Sequence, residues 1–371
     1  MKVLFLYLDA FSGIGGIQKF NKAFMKASEE LSIENNNDFK AYSLHDHSQD
    51  SRYISSSNFK GFSGNRIIYI LQSIVLGLKS DIVIIGHVNL ATIGYVIKMY
   101  NKDIKVIYLT HGIEVWSKLP LIKKWGIKCA DNILAVSNFT KQKLVDVQSI
   151  DPKKITIFPN TIDPFFEIPS SFDKPKYIMD KYGIKENSKV ILSISRMSYF
   201  DRDKGYSKVA VVLPEVLKEF PDLKYIIVGR GDEQEVRRLR RLIRTLKLEN
   251  NVILTGLVPD EEIKDYYLLS DVLVLPSKKE GFGIVFIESL VCGRPVIAGN
   301  ADGSVDALLG GELGTLVDPD DIEKIANAII KVLKGDICNK LLDKSYLQSI
   351  CIKKFGFDKF RVRLENLLEN L

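Results

Sequence analysis

The chain alternates short, unbroken apolar runs with longer amphipathic stretches. In the first half the runs fall at 3–8, 82–85, 105–109, 132–136 and 155–158, and in the second at 189–194, 224–228, 251–254, 272–275 and 295–298. They are rich in Val and Ile and do not alternate with polar residues. A strand of that kind is buried on both faces, which is the condition of a parallel sheet flanked by helices. The pattern predicts two doubly wound α/β domains. Between the two series, 158–175 carries Pro159, Pro164, Pro169 and Pro175 among Ser, Asn and Asp, the composition of an interdomain linker. The expected division is an N-terminal Rossmann-like domain over 1–160, a linker over 161–175 and a C-terminal Rossmann-like domain over 176–371. From roughly residue 320 the spacing is helical, and the last helix has the option of crossing back to the N-terminal domain.

At 371 residues the chain exceeds one small domain, and with 46% apolar and 26% charged residues it is neither disordered nor collagenous. Its net charge of +6 is unevenly spread: residues 1–160 carry +7 and the rest −1. A mild excess without a run of five basic residues suits an anionic small molecule or an anionic membrane surface better than a nucleic-acid groove. A randomly basic surface is the plainer alternative. Cys129, Cys292, Cys338 and Cys351 lack CxxC spacing, so neither zinc nor a disulfide framework is expected, and a cytoplasmic setting fits. The opening run resembles the start of a signal peptide, but Asp9 closes it with no small-residue cleavage site, and it reads as a first strand. The longest apolar stretch, 67–78, includes Gln72 and Ser73 and falls short of the ~18 residues a membrane span needs.

Three segments carry candidate chemistry. Ser12-Gly13-Ile14-Gly15-Gly16-Ile17-Gln18 follows the first strand and opens a helical pattern, where glycines let backbone N–H groups approach a phosphate. It lacks full GxGxxG spacing, so a plain tight turn stays open beside ligand contact. Glu280-Gly281-Phe282-Gly283-Ile284-Val285-Phe286-Ile287-Glu288 follows the strand at 272–275. It sets one carboxylate in a glycine-flanked loop and a second about one turn into the next helix, where both can face a ligand. Carboxylates suit sugar or ribose hydroxyls, and the N–H groups of Phe282, Gly283 and Ile284 suit phosphate. The third, Ser195-Arg196-Met197 through Asp203-Lys204-Gly205, offers a guanidinium and an ammonium to a diphosphate.

The stretch Glu280 to Glu288 resembles the E-G-F-G-x4-E signature of retaining glycosyltransferases of the GT-B fold, particularly the large family 4 class. Arg196 with Lys204-Gly205, Gly13 to Gly16, Ala135-Val136-Ser137 and Pro159-Asn160 are similar to its other landmarks, so the resemblance covers essentially the whole chain. It implies two Rossmann-like domains facing a central cleft, with the acceptor on the N-terminal one and a nucleotide diphosphate sugar, UDP-glucose or a similar UDP-hexose, on the C-terminal one. By the same resemblance Glu288 holds the ribose, while Glu280 and the backbone of Gly281, Phe282 and Gly283 face the donor sugar. Arg196, Lys204 and the backbone of Gly15, Gly16 and Ile284 hold the diphosphate. His111 stands beside sugar and acceptor, with a purely structural histidine as the alternative. The backbone at Gly256-Leu257-Val258 and the turn Gly229-Arg230-Gly231 are candidate neighbours of the base.

Two departures from the family pattern stand out. Thr161 replaces the glycine of the usual P-N-G-[IV]-D linker, and Tyr199 to Asp203 lengthen the spacing of the basic pair. The reaction implied is glycosyl transfer with retention and without a metal or other cofactor, since Arg196 and Lys204 supply positive charge and Asp201 and Asp203 read as loop charges rather than metal ligands. Rival readings are a nucleotide-sugar epimerase, another GT-B enzyme such as a glycan phosphorylase, and an inactive nucleotide-sugar-binding homologue. The expected acceptor is a glycan or lipid-linked glycan of surface polysaccharide synthesis, and no nucleic-acid partner is expected. Trp116 and Trp125 with Lys118, Lys123 and Lys124 suit peripheral contact with the inner face of a membrane, or equally half-buried core rings with lysines snorkelling outward.

Overall fold

The computed structural model describes residues 1–199 and 202–370, Arg202 by its backbone alone. The chain divides into two compact units, the first formed by Met1–Pro164 with Phe355–Leu371 and the second by Phe165–Lys354. The boundary falls inside the proline-rich interval. The last helix groups with the first unit, the option the sequence left open for it.

The first unit is built on a seven-stranded parallel sheet in the order β3-β2-β1-β4-β5-β6-β7. Its strands are β1 (Lys2–Tyr7), β2 (Asp38–Ser43), β3 (Phe59–Gly61), β4 (Ile82–Ile85), β5 (Lys105–Thr110), β6 (Asn132–Ala135) and β7 (Ile155–Ile157). The central β4 is buried at every position, as an unalternated apolar run requires. The apolar runs do not announce β2 or β3. Burial in β2 alternates, and β3 is a three-residue edge strand with no buried side chain, so neither needs a continuous apolar stretch.

The second unit holds a six-stranded parallel sheet in the order β10-β9-β8-β11-β12-β13. Its strands are β8 (Val190–Ile194), β9 (Lys224–Val228), β10 (Val252–Gly256), β11 (Val272–Leu275), β12 (Val296–Gly299) and β13 (Thr315–Val317). Only the short edge strand β13 lies outside the predicted runs. In each sheet the strand order reverses once, between β1 and β4 and between β8 and β11. Loops leaving the C-terminal ends of such neighbours run to opposite faces, and the crevice they leave is where open α/β sheets take ligands.

Helix Phe357–Glu369 joins the first unit through a buried aromatic cluster. Phe360 meets Phe158 edge-on at 4.8 Å and Phe20 at 5.6 Å between ring centroids. Thr161, the departure from the usual linker glycine, is buried there, and its hydroxyl donates to the Phe355 carbonyl at 2.9 Å. A glycine could not make that bond. Phe360→Ala should lower the stability of the first unit by about 3–5 kcal/mol in denaturant titration, the usual cost of emptying a buried aromatic site. A loss under ~1 kcal/mol would show that the helix is not part of that core.

Candidate functional site

In the second unit the loops after β10, β9, β8, β11 and β12 form one continuous rim. Backbone bonds tie them side by side. Gly229 N donates to Gly256 O at 2.9 Å, Ser195 N to Val228 O at 3.0 Å and Met197 N to Arg230 O at 2.9 Å. Gly229 has φ of +142°, and a side chain there would strike the Ser195 carbonyl, so only glycine lets these turns close. The candidate base neighbours Gly256 and Gly229-Arg230-Gly231 thus adjoin Ser195 and the exposed Arg196 at the switch point.

The loop after β11 is fixed by a residue that motif reading missed. Asp302, in the turn after β12, is 1% exposed. Its carboxylate accepts from Ser277 Oγ at 2.6 Å, the Glu280 backbone N–H at 2.8 Å and the Ser304 N–H at 2.9 Å. Burial pushes its pKa up, and the bonds from Ser277 and Ser304 pull the other way. The Gly303 N–H donates to Glu280 O at 2.8 Å, and a side chain at Gly303 would collide with the Gly281 carbonyl. The sequence signal was an Asp-Gly pair four residues after a predicted strand.

Lys204 and Glu280 meet as a half-buried ion pair at 2.8 Å, and Lys204 Nζ also donates to Lys279 O at 2.9 Å. The segment carrying Lys204 is latched to the Glu280 loop by Lys278 N to Asp203 O at 2.8 Å and by a Lys279–Asp203 ion pair at 2.6 Å. Asp203 is therefore a loop charge with a partner; Asp201 lies outside the described residues. Gly281, Phe282, Gly283 and Ile284 are all buried, and Gly283, with φ of +95°, caps helix Ile284–Val291 without a side-chain cap bond.

Glu288 is enclosed beside Tyr267. It is 1% exposed, and it accepts from the Tyr267 hydroxyl at 2.7 Å. Helix Ile284–Val291 is buried at every position but one, so its fifth residue is enclosed. Burial and the neighbouring carboxylate push the Tyr267 hydroxyl pKa well above its usual value, which keeps it a donor.

The first unit has a rim of its own at the switch between β1 and β4. Asp46, fully buried after β2, accepts from the backbone N–H groups of Ala10, Phe11 and Ser12 at 2.7–3.0 Å and from Ser43 Oγ at 2.8 Å. An internal carboxylate thus takes the N–H groups just before the glycines. Gly15 caps helix Gly16–Glu34, and Phe20 of that helix meets the His111 ring edge-on at 5.0 Å. The half-buried His111 has Nε2 2.9 Å from Gly86 O, after β4, and its backbone N–H donates to Glu114 Oε1 at 2.5 Å. Beside it His87, not predicted, is buried and accepts from Asn89 N–H at 3.0 Å through Nδ1. Desolvation lowers both imidazole pKa values, that of His87 to about 4, against the opposing charge of Glu114. Among the described residues no cluster of three His, Cys, Asp or Glu side chains could hold a metal ion.

Comparison with known proteins matches residues 176–346 to the family described as Glycosyl transferases group 1 and residues 44–165 to Glycosyltransferase Family 4. A GDP-mannose-dependent alpha-(1-6)-phosphatidylinositol monomannoside mannosyltransferase of Mycolicibacterium smegmatis is 29% identical over 238 residues, 61% of this chain and 60% of that protein. An N-acetyl-alpha-D-glucosaminyl L-malate synthase of Bacillus anthracis is 25% identical over 73% of this chain and 69% of its own. The match to the mycobacterial relative spans three-fifths of that protein's length. Among solved structures, Anabaena HepE in complex with UDP and glucose superposes with a TM-score of 0.79 at 18% identity, covering 100% of both chains. The fold is that of GT-B glycosyltransferases. Each of the chain's two units matches a glycosyltransferase family model over part of its length.

Two outcomes follow from this geometry. Asp302→Ala leaves three donors without their acceptor and should cost about 3 kcal/mol or more of second-unit stability; Asp302→Asn should cost less, and equal losses would rule out the clamp. The folded His87 binds its proton less readily than an unfolded histidine at 6.5. The folded state therefore takes up fewer protons than the unfolded state across the interval, and stability present above about pH 6.5 is lost as pH falls toward 4. His87→Asn should flatten that decline in pH-dependent denaturation, and an unaltered slope would contradict the assignment.

Proposed function

We propose that the protein is a retaining glycosyltransferase that moves a hexose from a nucleoside diphosphate sugar to a hydroxyl of a glycan or lipid-linked glycan. The observation that carries this reading is the Asp302-fixed loop, which holds Glu280 and its partner Lys204 at the strand switch beside the turn bearing Arg196. Anionic and polyhydroxylated chemistry are thereby offered cations and a carboxylate on one rigid rim.

In the proposed reaction the bond from the anomeric carbon to the diphosphate oxygen breaks and the diphosphate keeps the electron pair. The acceptor oxygen bonds to the anomeric carbon on the same face, and its proton passes to the departing phosphate oxygen. Arg196 and the first-turn N–H groups at Ile284 oppose the growing charge, where preorganised dipoles contribute most. Lys204 shares its donors between the diphosphate and Glu280, whose other contacts face the sugar hydroxyls. Glu288 receives the ribose hydroxyls alongside Tyr267, and Gly256 lies by the base. His111, neutral near pH 7 because burial lowers its pKa, serves the acceptor side as a hydrogen-bonding imidazole. The M. smegmatis relative is described as GDP-mannose-dependent and HepE is bound to UDP, so the base is the first thing to test; uracil is the base proposed.

A donor at about 100 times its dissociation constant should add ~2.7 kcal/mol of stability. Thermal-shift screening across UDP- and GDP-sugars should therefore single out one donor, and no response to any of them would remove the reading. Nucleoside diphosphate should appear only when acceptor is supplied; release without acceptor would favour an epimerase. Arg196→Ala should lower turnover more than donor affinity, because leaving-group charge grows toward the transition state. Glu288→Ala should weaken nucleotide binding as well. Activity should survive exhaustive chelation, since Arg196 and Lys204 supply the positive charge, and a strict need for a divalent ion would overturn that part of the mechanism.

A further inference from the structure

The helix Arg66–Gly77 is amphipathic in the wrong direction for a protein surface in water. Its inward stripe is Tyr69, Ser73 and Gly77, all buried, whereas the stripe Ile67, Leu71 and Val75 is 74%, 60% and 57% exposed. The stripes are offset by two residues, about 200° around the axis, so they are opposite faces of one helix. The inward face is fixed by packing. The Tyr69 hydroxyl donates to Tyr7 O at 3.3 Å, and Gly77 lies so close to the Ile97 side chain that a methyl group there would force it to shift.

The neighbouring helices continue the surface. Helix Ala91–Tyr100 packs against both Arg66–Gly77 and Leu121–Lys128, and Gly126 on the last allows backbone approach at Ala91. Tyr100 ends the first of these neighbours at 78% exposed, and Leu121 and Trp125 of the second are 70% and 53% exposed. The two helices frame an open hollow lined by Tyr95, Trp125, Lys128 and Cys129. Trp116, by contrast, packs edge-on against Phe139 at 4.9 Å, so the two tryptophans have different roles.

Charge identifies what this surface meets. Residues 66–128 contain nine Lys and Arg against three Asp and Glu, a net +6 equal to that of the whole chain. An exposed apolar stripe and a half-exposed tryptophan within a segment of that net charge match the acyl boundary and anionic headgroups of a bilayer. No helix among the described residues is long and apolar enough to cross a membrane, so the contact is with its surface. We propose that the layer of helices over residues 66–128 docks the first unit on an anionic membrane, with Ile67, Leu71 and Val75 entering the headgroup layer. This goes beyond the donor-site reading and stands on separate residues.

The test is co-sedimentation of the full chain with phosphatidylcholine vesicles with and without phosphatidylglycerol. The wild type should bind the anionic vesicles at low salt and be released at high salt. A triple Ile67→Gln, Leu71→Gln, Val75→Gln variant should bind about tenfold or more weakly, with unchanged thermal unfolding because the positions are exposed. A triple Lys118→Ala, Lys124→Ala, Lys128→Ala variant should lose the preference for anionic vesicles. Each variant should keep the nucleotide-sugar thermal shift of the wild type, so a failed donor reading and a failed docking reading give different results. Absence of wild-type binding to anionic vesicles at low salt overturns the proposal, as does undiminished binding by the glutamine variant. A dimer that the glutamine variant converts to monomer, with vesicle binding unchanged, assigns the face to a second copy instead.

Discussion

A carboxylate taken out of water is costly unless donors surround it. Asp302 is such a carboxylate, and its donors come from three places: Ser277, the Glu280 backbone and the Ser304 backbone. The loop after β11 brings the Glu280 N–H to that acceptor at 2.8 Å. The position of the Glu280 side chain, the approach that excludes any residue but glycine at 303 and the reach of Lys204 all follow from it.

The first unit solves the same problem with different residues. Asp46 stands after the strand next to β1 and collects the N–H groups of the loop that β1 feeds, as Asp302 stands after β12 and collects those of the loop from β11. In both cases an internal anion holds a glycine-containing loop at the reversal of strand order. A loop held in this way pays little reorganisation when a charged ligand arrives, which is the property that electrostatic catalysis draws on.

The sheets were largely legible because a strand buried on both faces must be apolar throughout, as β4 and β11 are. The elements that escaped have no such requirement: β2 alternates, while β3 and β13 are three-residue edge strands. Within the candidate site, Glu280 and Arg196 were legible because charged side chains at strand ends in a glycine-rich setting have few structural uses. Asp302 and Asp46 were not, since what marks them is the convergence of backbone donors from segments distant in sequence. The exposed stripe of helix Arg66–Gly77 escaped for a related reason. An apolar run of that length reads as core, and which of its faces looks inward is decided by Tyr69, Ser73 and Gly77 in three dimensions.

The central claim is that one nucleoside diphosphate sugar occupies the rim of the second unit, and hydrogen–deuterium exchange with and without that donor tests it most directly. The account predicts protection in the peptides that carry residues 195–205, 229–231, 256–258, 280–288 and 300–304 among those of the second unit, with the segment at Asp302 responding together with that at Glu280. Donor-induced stabilisation accompanied by unchanged exchange in these loops, or by protection at the opposite ends of the strands, would contradict it.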